Sequence, residues 1–165
     1  MLRVVTLAGD GLANVVSGVR RLARMSHHDP MTAERNKARV LELIERVTNG
    51  HDLSALGEFT SNPAVLASAR GLLTAFPDLR ATVRWVVAEG DMVVVFHDVW
   101  GTHHGRWLFV AEPTGQPVQT SFMLAFKFDE EGQIVDQWLG SNFVGMLAQL
   151  GWGFAPVGEP AASAR

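Results

Sequence analysis

Proton chemistry in this chain rests on few residue types. The 165 residues contain no Cys and no Tyr, six His and seventeen Asp or Glu. Thiolate nucleophiles, thiolate metal sites, disulfides and phenolic acids are therefore excluded. Histidine, with an ordinary pKa near 6.5, is the natural acid or base. His103 and His104 are adjacent, so in a regular strand they face opposite ways and cannot share a pocket without a bulge. His97 and Asp98 face opposite ways for the same reason. His97 shares its face with Val93, Val95 and Val99 and reads as a core histidine. Asp98 shares a face with Phe96 and Trp100, and Asp136 with Ile134 and Trp138. A carboxylate in such apolar company would have a raised pKa and could act as a base. The competing reading is an ion pair with Arg84, Arg106 or Lys127. No metal is expected, because His97, His103 and His104 lack ligand spacing. No serine elbow and no phosphate-binding glycine loop occurs.

The element that must position such groups is Gln133–Gly151. Ile134, Asp136, Trp138 and Gly140 fall on one face of a strand. The period then changes, and Phe143, Met146, Leu147 and Leu150 form one stripe of a helix. Ser141 and Asn142 are N-cap types, and Gly151 is a good residue just past the helix end. A side chain at this junction leaves the end of a sheet beside a helix start, where a pocket under a curved sheet would be lined.

The rest of the chain supplies that sheet. Residues 1–30 read as an extension, with helical spacing at Leu12, Val15, Val16, Val19 and Leu22 and a basic end. Thr32 to Thr48 is a predicted helix closed by Asn49-Gly50. Asp52 to Phe59 is a second, short one. Asn62-Pro63 opens a third, to about Thr74. From Leu79 the pattern alternates. Val83, Trp85 and Val87 share a face, Glu89-Gly90-Asp91 is a hairpin turn, and Met92–His103 is a long strand. Trp107–Glu112 is a predicted third strand. Phe122, Leu124, Phe126 and Phe128 share one face of the next. The tail from Gly153 reads as loose. Helices and strands are segregated, which predicts α+β architecture with an antiparallel sheet of four or five strands. Helices inside the curve would make a cone with an open mouth, suited to a small apolar ligand.

Charge and hydropathy narrow the partners. The net charge of −3 gives no electrostatic case for nucleic acid. No run is long enough to span a membrane, and the first residues lack a signal-peptide pattern, so a cytoplasmic protein is the default expectation.

A set of short motifs then carries a resemblance. These are FPDL (Phe76–Leu79), AEGD (Ala88–Asp91), GTHHG (Gly101–Gly105), PTGQPV (Pro113–Val118), the Gly132–Val135 turn, Trp138 and AQLG (Ala148–Gly151). In this order and spacing they resemble the SnoaL-like polyketide cyclase and ester cyclase family, of the nuclear-transport-factor-2-like superfamily, over roughly Ala33–Gly151. The resemblance implies an α+β cone (curved antiparallel sheet around N-terminal helices), a deep apolar pocket and a homodimer through the outer sheet face. It also implies aldol-type ring closure of a polyketide ester by acid/base chemistry, without metal or cofactor. The chain departs from the pattern at Trp138-Leu139-Gly140-Ser141-Asn142, where the family's acid/base Asp becomes Asn142. An amide can only orient or polarise. On this reading His103 is the catalytic acid or base, Asn142 and Asp98 orient the substrate, and Trp138, Trp100, Phe126 and Phe76 form the pocket wall. Asn142→Asp would then raise proton transfer. The alternative is a non-catalytic ligand-binding or accessory protein, and the test between them is whether any titratable group faces the pocket.

Overall fold

A computed structural model describes residues 30–108, 110 and 112–153. The expected N-terminal helix and the tail beyond Gly153 lie outside the described residues. The fold is α+β, with four α-helices and a four-stranded curved antiparallel sheet among the described residues. Helix α1 (Pro30–Leu43) continues as one turn of π-helix, Ile44–Asn49. A 3₁₀ turn, Leu53–Ala55, leads into α2 (Leu56–Phe59), and α3 is Pro63–Ala75. Strands β1 (Arg80–Glu89), β2 (Met92–Thr102), β3 (Pro117–Phe128) and β4 (Ile134–Ser141) pair in chain order, and α4 (Phe143–Gln149) closes the fold. No helix of the described residues is long and apolar enough to cross a membrane.

The helix ends follow from local chemistry. Asn62 caps α3 by accepting from the Ala64 N–H at 2.9 Å, with Pro63 in the first turn. Helix α4 ends as expected at Gly151, whose φ is +87°. The Trp152 and Gly151 N–H groups donate to Leu147 and Ala148 carbonyls at 2.9 and 3.1 Å, a Schellman closure. The first helix ends at Asn49-Gly50 as expected, but without a left-handed glycine. Gly50 has a right-handed φ of −84° and is needed because a Cβ there would sit 2.4 Å from the Arg46 carbonyl oxygen. The left-handed residue is His51, at φ 56°. Arg39 lies over the Phe59 ring at 4.6 Å, and Arg46 meets Glu58 at 2.8 Å, fastening α2 across α1.

Two side-chain amides stand in for missing strands. Asn49 accepts from the Ala81 N–H at 2.8 Å and donates to its carbonyl at 3.1 Å, on the open edge of β1. Gln149 treats Gln119 the same way, at 2.8 and 3.0 Å, where β4 no longer covers β3. Both satisfy backbone groups that would otherwise be orphaned.

The sheet departs from strict alternation at two places. The register slips between Val83 and Trp85, so Trp85 turns to the outer face and stacks on Phe96 at 5.4 Å, while Val86 and Ala88 turn inward. It slips again between Ile134 and Asp136. Ile134 stays in the core, and Gln137 and Leu139, opposite the inward Phe126 and Leu124, face the concavity. Ile134, Asp136, Trp138 and Gly140 therefore do not share a face. Thr60 donates to the Ile134 carbonyl at 2.6 Å and Asn62 to the Val135 carbonyl at 2.7 Å, pinning this second bulge from the helical layer. The described residues of the expected Trp107–Glu112 strand join none of the four sheet strands. Trp107 and Val110 exchange backbone hydrogen bonds at 3.0 and 2.9 Å across a tight turn, with Leu108 at φ 53°.

The core lies between the helices and the concave face. Val40, Ile44, Val47, Phe59 and Leu73 from the helical layer meet Val93, Val95, Val99, Phe122 and Phe126 from the sheet. The inner face of β2 is buried at every second residue from Val93 to Gly101, and this alternation aims the only ionisable side chain among them, His97, at the helices.

Candidate functional site

A chamber of about 90 Å³ lies between the π turn after α1, helix α3 and the concave face. Its walls are apolar, from Phe59, Leu72, Phe122 and Phe126 among others, with Thr48, Thr60, Ser68, His97 and Gln137 as the polar groups. The Thr60 hydroxyl is already committed to the Ile134 carbonyl. His97 is 3% exposed, and its Nδ1 has no hydrogen-bond partner. Its cross-strand neighbours are Val83 and Phe122, and the Phe122 ring sits edge-on at 5.9 Å. Burial strips water from the imidazolium and pushes the pKa down to about 4, against a smaller upward pull from Asp98. The ring is thus neutral at pH 7. A neutral imidazole keeps one N–H donor and one acceptor. It can polarise a carbonyl or take a proton from an acidic carbon beside one, and low local dielectric strengthens both interactions.

The residues expected at the site are placed apart. Phe126 lines the His97 chamber. His103 is fully buried elsewhere, its Nδ1 accepting from the Thr114 N–H at 3.1 Å and its ring 5.3 Å from Phe76. Burial lowers its pKa too. Phe76 borders a gap of about 10 Å³ with Leu72, Phe122 and Met146. Around His103 the GTHHG and FPDL motifs form one fastening. Thr102 donates its N–H and hydroxyl to the Asp78 carboxylate at 2.7 and 2.8 Å. The His104 and Gly105 N–H groups donate to the last α3 carbonyl, Ala75, at 2.8 and 3.2 Å. A Cβ at Gly105 would lie 2.7 Å from the Thr74 carbonyl oxygen.

Asp98 is on the outer face, paired with Arg84 at 2.5 Å and accepting from Ser121 at 2.7 Å. Those two hydrogen bonds hold its carboxyl below the usual range, so the ion-pair reading is the one realised, and a base of raised pKa is not. Trp100 and Trp138 are also on the outer face, 53% and 49% exposed, and so are not walls of the chamber. The reason is the β4 bulge for Trp138 and simple strand parity for Trp100. Asn142 is exposed and caps α4, its Oδ1 accepting from the Gly145 N–H at 2.9 Å. Among the described residues, no three His, Asp or Glu side chains cluster to hold a metal ion.

Sequence reasoning placed His97 on the inward face but took it for a satisfied core residue. Its apolar strand neighbours were the available signal, because Val83 and Phe122 offer an imidazole no partner. Gln137 and Ser68 were missed outright. Gln137 faces inward only through the bulge, and Ser68 is a plain helix position until α3 is laid on the sheet.

AclR from Streptomyces galilaeus, a candidate hydroxylase, is 26% identical, with 72% of this chain and 97% of that chain covered and a TM-score of 0.61. IdmH from Streptomyces antibioticus, a candidate polyketide cyclase, is 26% identical, with coverage of 71% and 99% and a TM-score of 0.56. A SnoaL-like protein from Jannaschia sp. CCS1 shares the fold at 23% identity, with coverage of 72% and 92% and a TM-score of 0.62. No curated protein matches the chain. The family profile described as SnoaL-like polyketide cyclase matches residues 31–150. The cone, the motif order and this match agree, and the chain belongs to the SnoaL-like polyketide cyclase family.

Proposed function

We propose that this protein takes an apolar, carbonyl-bearing small molecule of polyketide type into the chamber. It acts there by cofactor-independent acid/base chemistry, with His97 as the proton-handling group. One observation carries the reading: a buried imidazole on the wall of a mostly apolar chamber, its Nδ1 without a hydrogen-bond partner among the described residues. An orphaned buried polar atom costs stability, and at a cavity wall a ligand can supply the missing partner. The reaction class is proton transfer beside a carbonyl, as in aldol ring closure or isomerisation. Burial makes His97 a weak base, so the carbon it deprotonates must be an acidified one, such as that between two carbonyls. Asn142, His103 and Asp98 support the fold around this site.

Among the described residues no carboxylate lines the chamber, and this favours a second reading, a ligand-binding protein without turnover. A thermal-shift screen of polyketide esters and flat polycyclic ketones separates the two. Hits are then assayed for turnover in wild type and His97→Gln. The enzyme reading expects the variant to lose at least about a hundredfold in rate. Hits that stabilise wild type and are never turned over leave the binding reading standing.

The outer sheet face supports a homodimer. Trp85, Trp100, Met123 and Trp138 stand about half exposed there. The charge of Arg84 is already balanced by Asp98. An apolar, internally neutral face of this breadth suits a second copy of itself.

A further inference from the structure

A second chamber, of about 220 Å³, lies outside the first, between α3, the Arg106–Leu108 segment and α4. Pockets for ligands of polycyclic size run about 300–1,000 Å³. Neither chamber reaches that alone, at 90 and 220 Å³. They share Ser68, Leu72, Phe122 and Leu139. Phe122 is therefore a partition and not an outer wall. Its side chain is 2% exposed, held by apolar packing alone, and its ring rests edge-on against His97. In one cross-strand row it stands between His97 and Ser141, whose buried hydroxyl also lacks a partner. Two orphaned polar groups thus flank the partition, roughly 10 Å apart at two strand spacings.

The outer chamber has its own chemistry. The Trp107 and Phe143 rings are parallel within 3°, with centroids 5.6 Å apart, a stack that a flat ligand can extend. Arg106 is exposed and is the only charged residue of the lining, and it has no ion pair or hydrogen bond among the described residues. A guanidinium fork beside an aromatic stack matches a planar carboxylate.

We propose that the two chambers are one ligand site in series, with Phe122 as a movable partition. The apolar end of a planar polycyclic ligand reaches His97, and its carboxylate is held by Arg106 in the outer chamber. This rests on the functional reading above and names the substrate class, a flat polycyclic acid.

The test uses anthraquinone-2-carboxylic acid and its methyl ester, titrated calorimetrically into the full chain and into Arg106→Gln. The His97 ring signals are followed by NMR in the same samples. The acid should bind roughly tenfold tighter than the ester, the scale of one charge-assisted pair. Arg106→Gln should remove that preference and leave the ester unchanged. Both probes should shift the His97 signals. Equal affinity for acid and ester, or a preference that survives Arg106→Gln, overturns the proposal. So does a bound probe that leaves His97 unmoved, because the chambers are then separate. Ester binding that shifts His97 without any preference for the acid overturns this inference alone. Failure of both probes to bind overturns it together with the polycyclic-ligand reading beneath it.

Discussion

At the scale of single residues, His97 makes a pH-dependent statement. Its pKa falls from 6.5 unfolded to about 4 folded. Above pH 6.5 both states are neutral and the shift has no effect. Between 6.5 and 4 the unfolded chain binds a proton that the native chain refuses, so stability falls as pH falls. Below about 4 the loss levels off. The full loss is roughly 3 kcal/mol, and His103 adds in the same direction. Urea unfolding at pH 7 and pH 4.5 should show His97→Gln losing clearly less stability than wild type. Parallel losses would refute the burial argument. Asn142 gives a second prediction. Asn142→Ala should cost about 1 kcal/mol through the lost cap, whereas Asn142→Asp should keep the cap and add no turnover. The expectation that an Asp there would restore proton transfer came from position in sequence. The exposed, cap-bonded side chain argues for the opposite outcome, and a gain in turnover would show that the cap opens to the site.

Elements show why local reading reached some features and stopped at others. Caps, turns and the Phe122–Phe128 face are set by neighbours in sequence, and the structure has them where periodicity puts them. The bulges are not local. The β4 bulge is held by Thr60 and Asn62, more than seventy positions away, so nothing within β4 announces it. Thr60→Val should therefore cost about 1–3 kcal/mol by leaving a buried carbonyl unpaired. Faster amide hydrogen exchange in β4 than in β2 would follow; unchanged exchange would mean that the bulge holds itself. The GTHHG motif resembled a catalytic signature, yet its contacts are with the end of α3. Gly105→Ala should destabilise by about 1–3 kcal/mol from the backbone clash, read as a drop in Tm.

For the whole molecule, the consequence of the bulges is a division of labour between the two sheet faces. Turning Trp85 and Trp138 outward leaves the concave face to smaller groups and His97, and gives the convex face its exposed aromatic surface. Sedimentation should find a dimer in wild type. Trp138→Arg should weaken it by about thirtyfold or more, as for a buried aromatic anchor. A wild-type monomer at all concentrations would remove the dimer proposal.

The sequence by itself determined the α+β class, the span and order of nearly every element, the caps of α3 and α4 and the family. Those follow from periodicity, turn chemistry and motif order, all of which are local or additive along the chain. Only the tertiary structure decided which polar groups meet the cavity. Two one-residue slips in strand register, pinned from the helical layer, exchange the faces of Trp85, Trp138 and Gln137. Satisfaction of a buried imidazole likewise depends on what the neighbouring strands bring to it. His97 was visible in the sequence on the inward face, but its lack of a partner is a property of the assembled sheet.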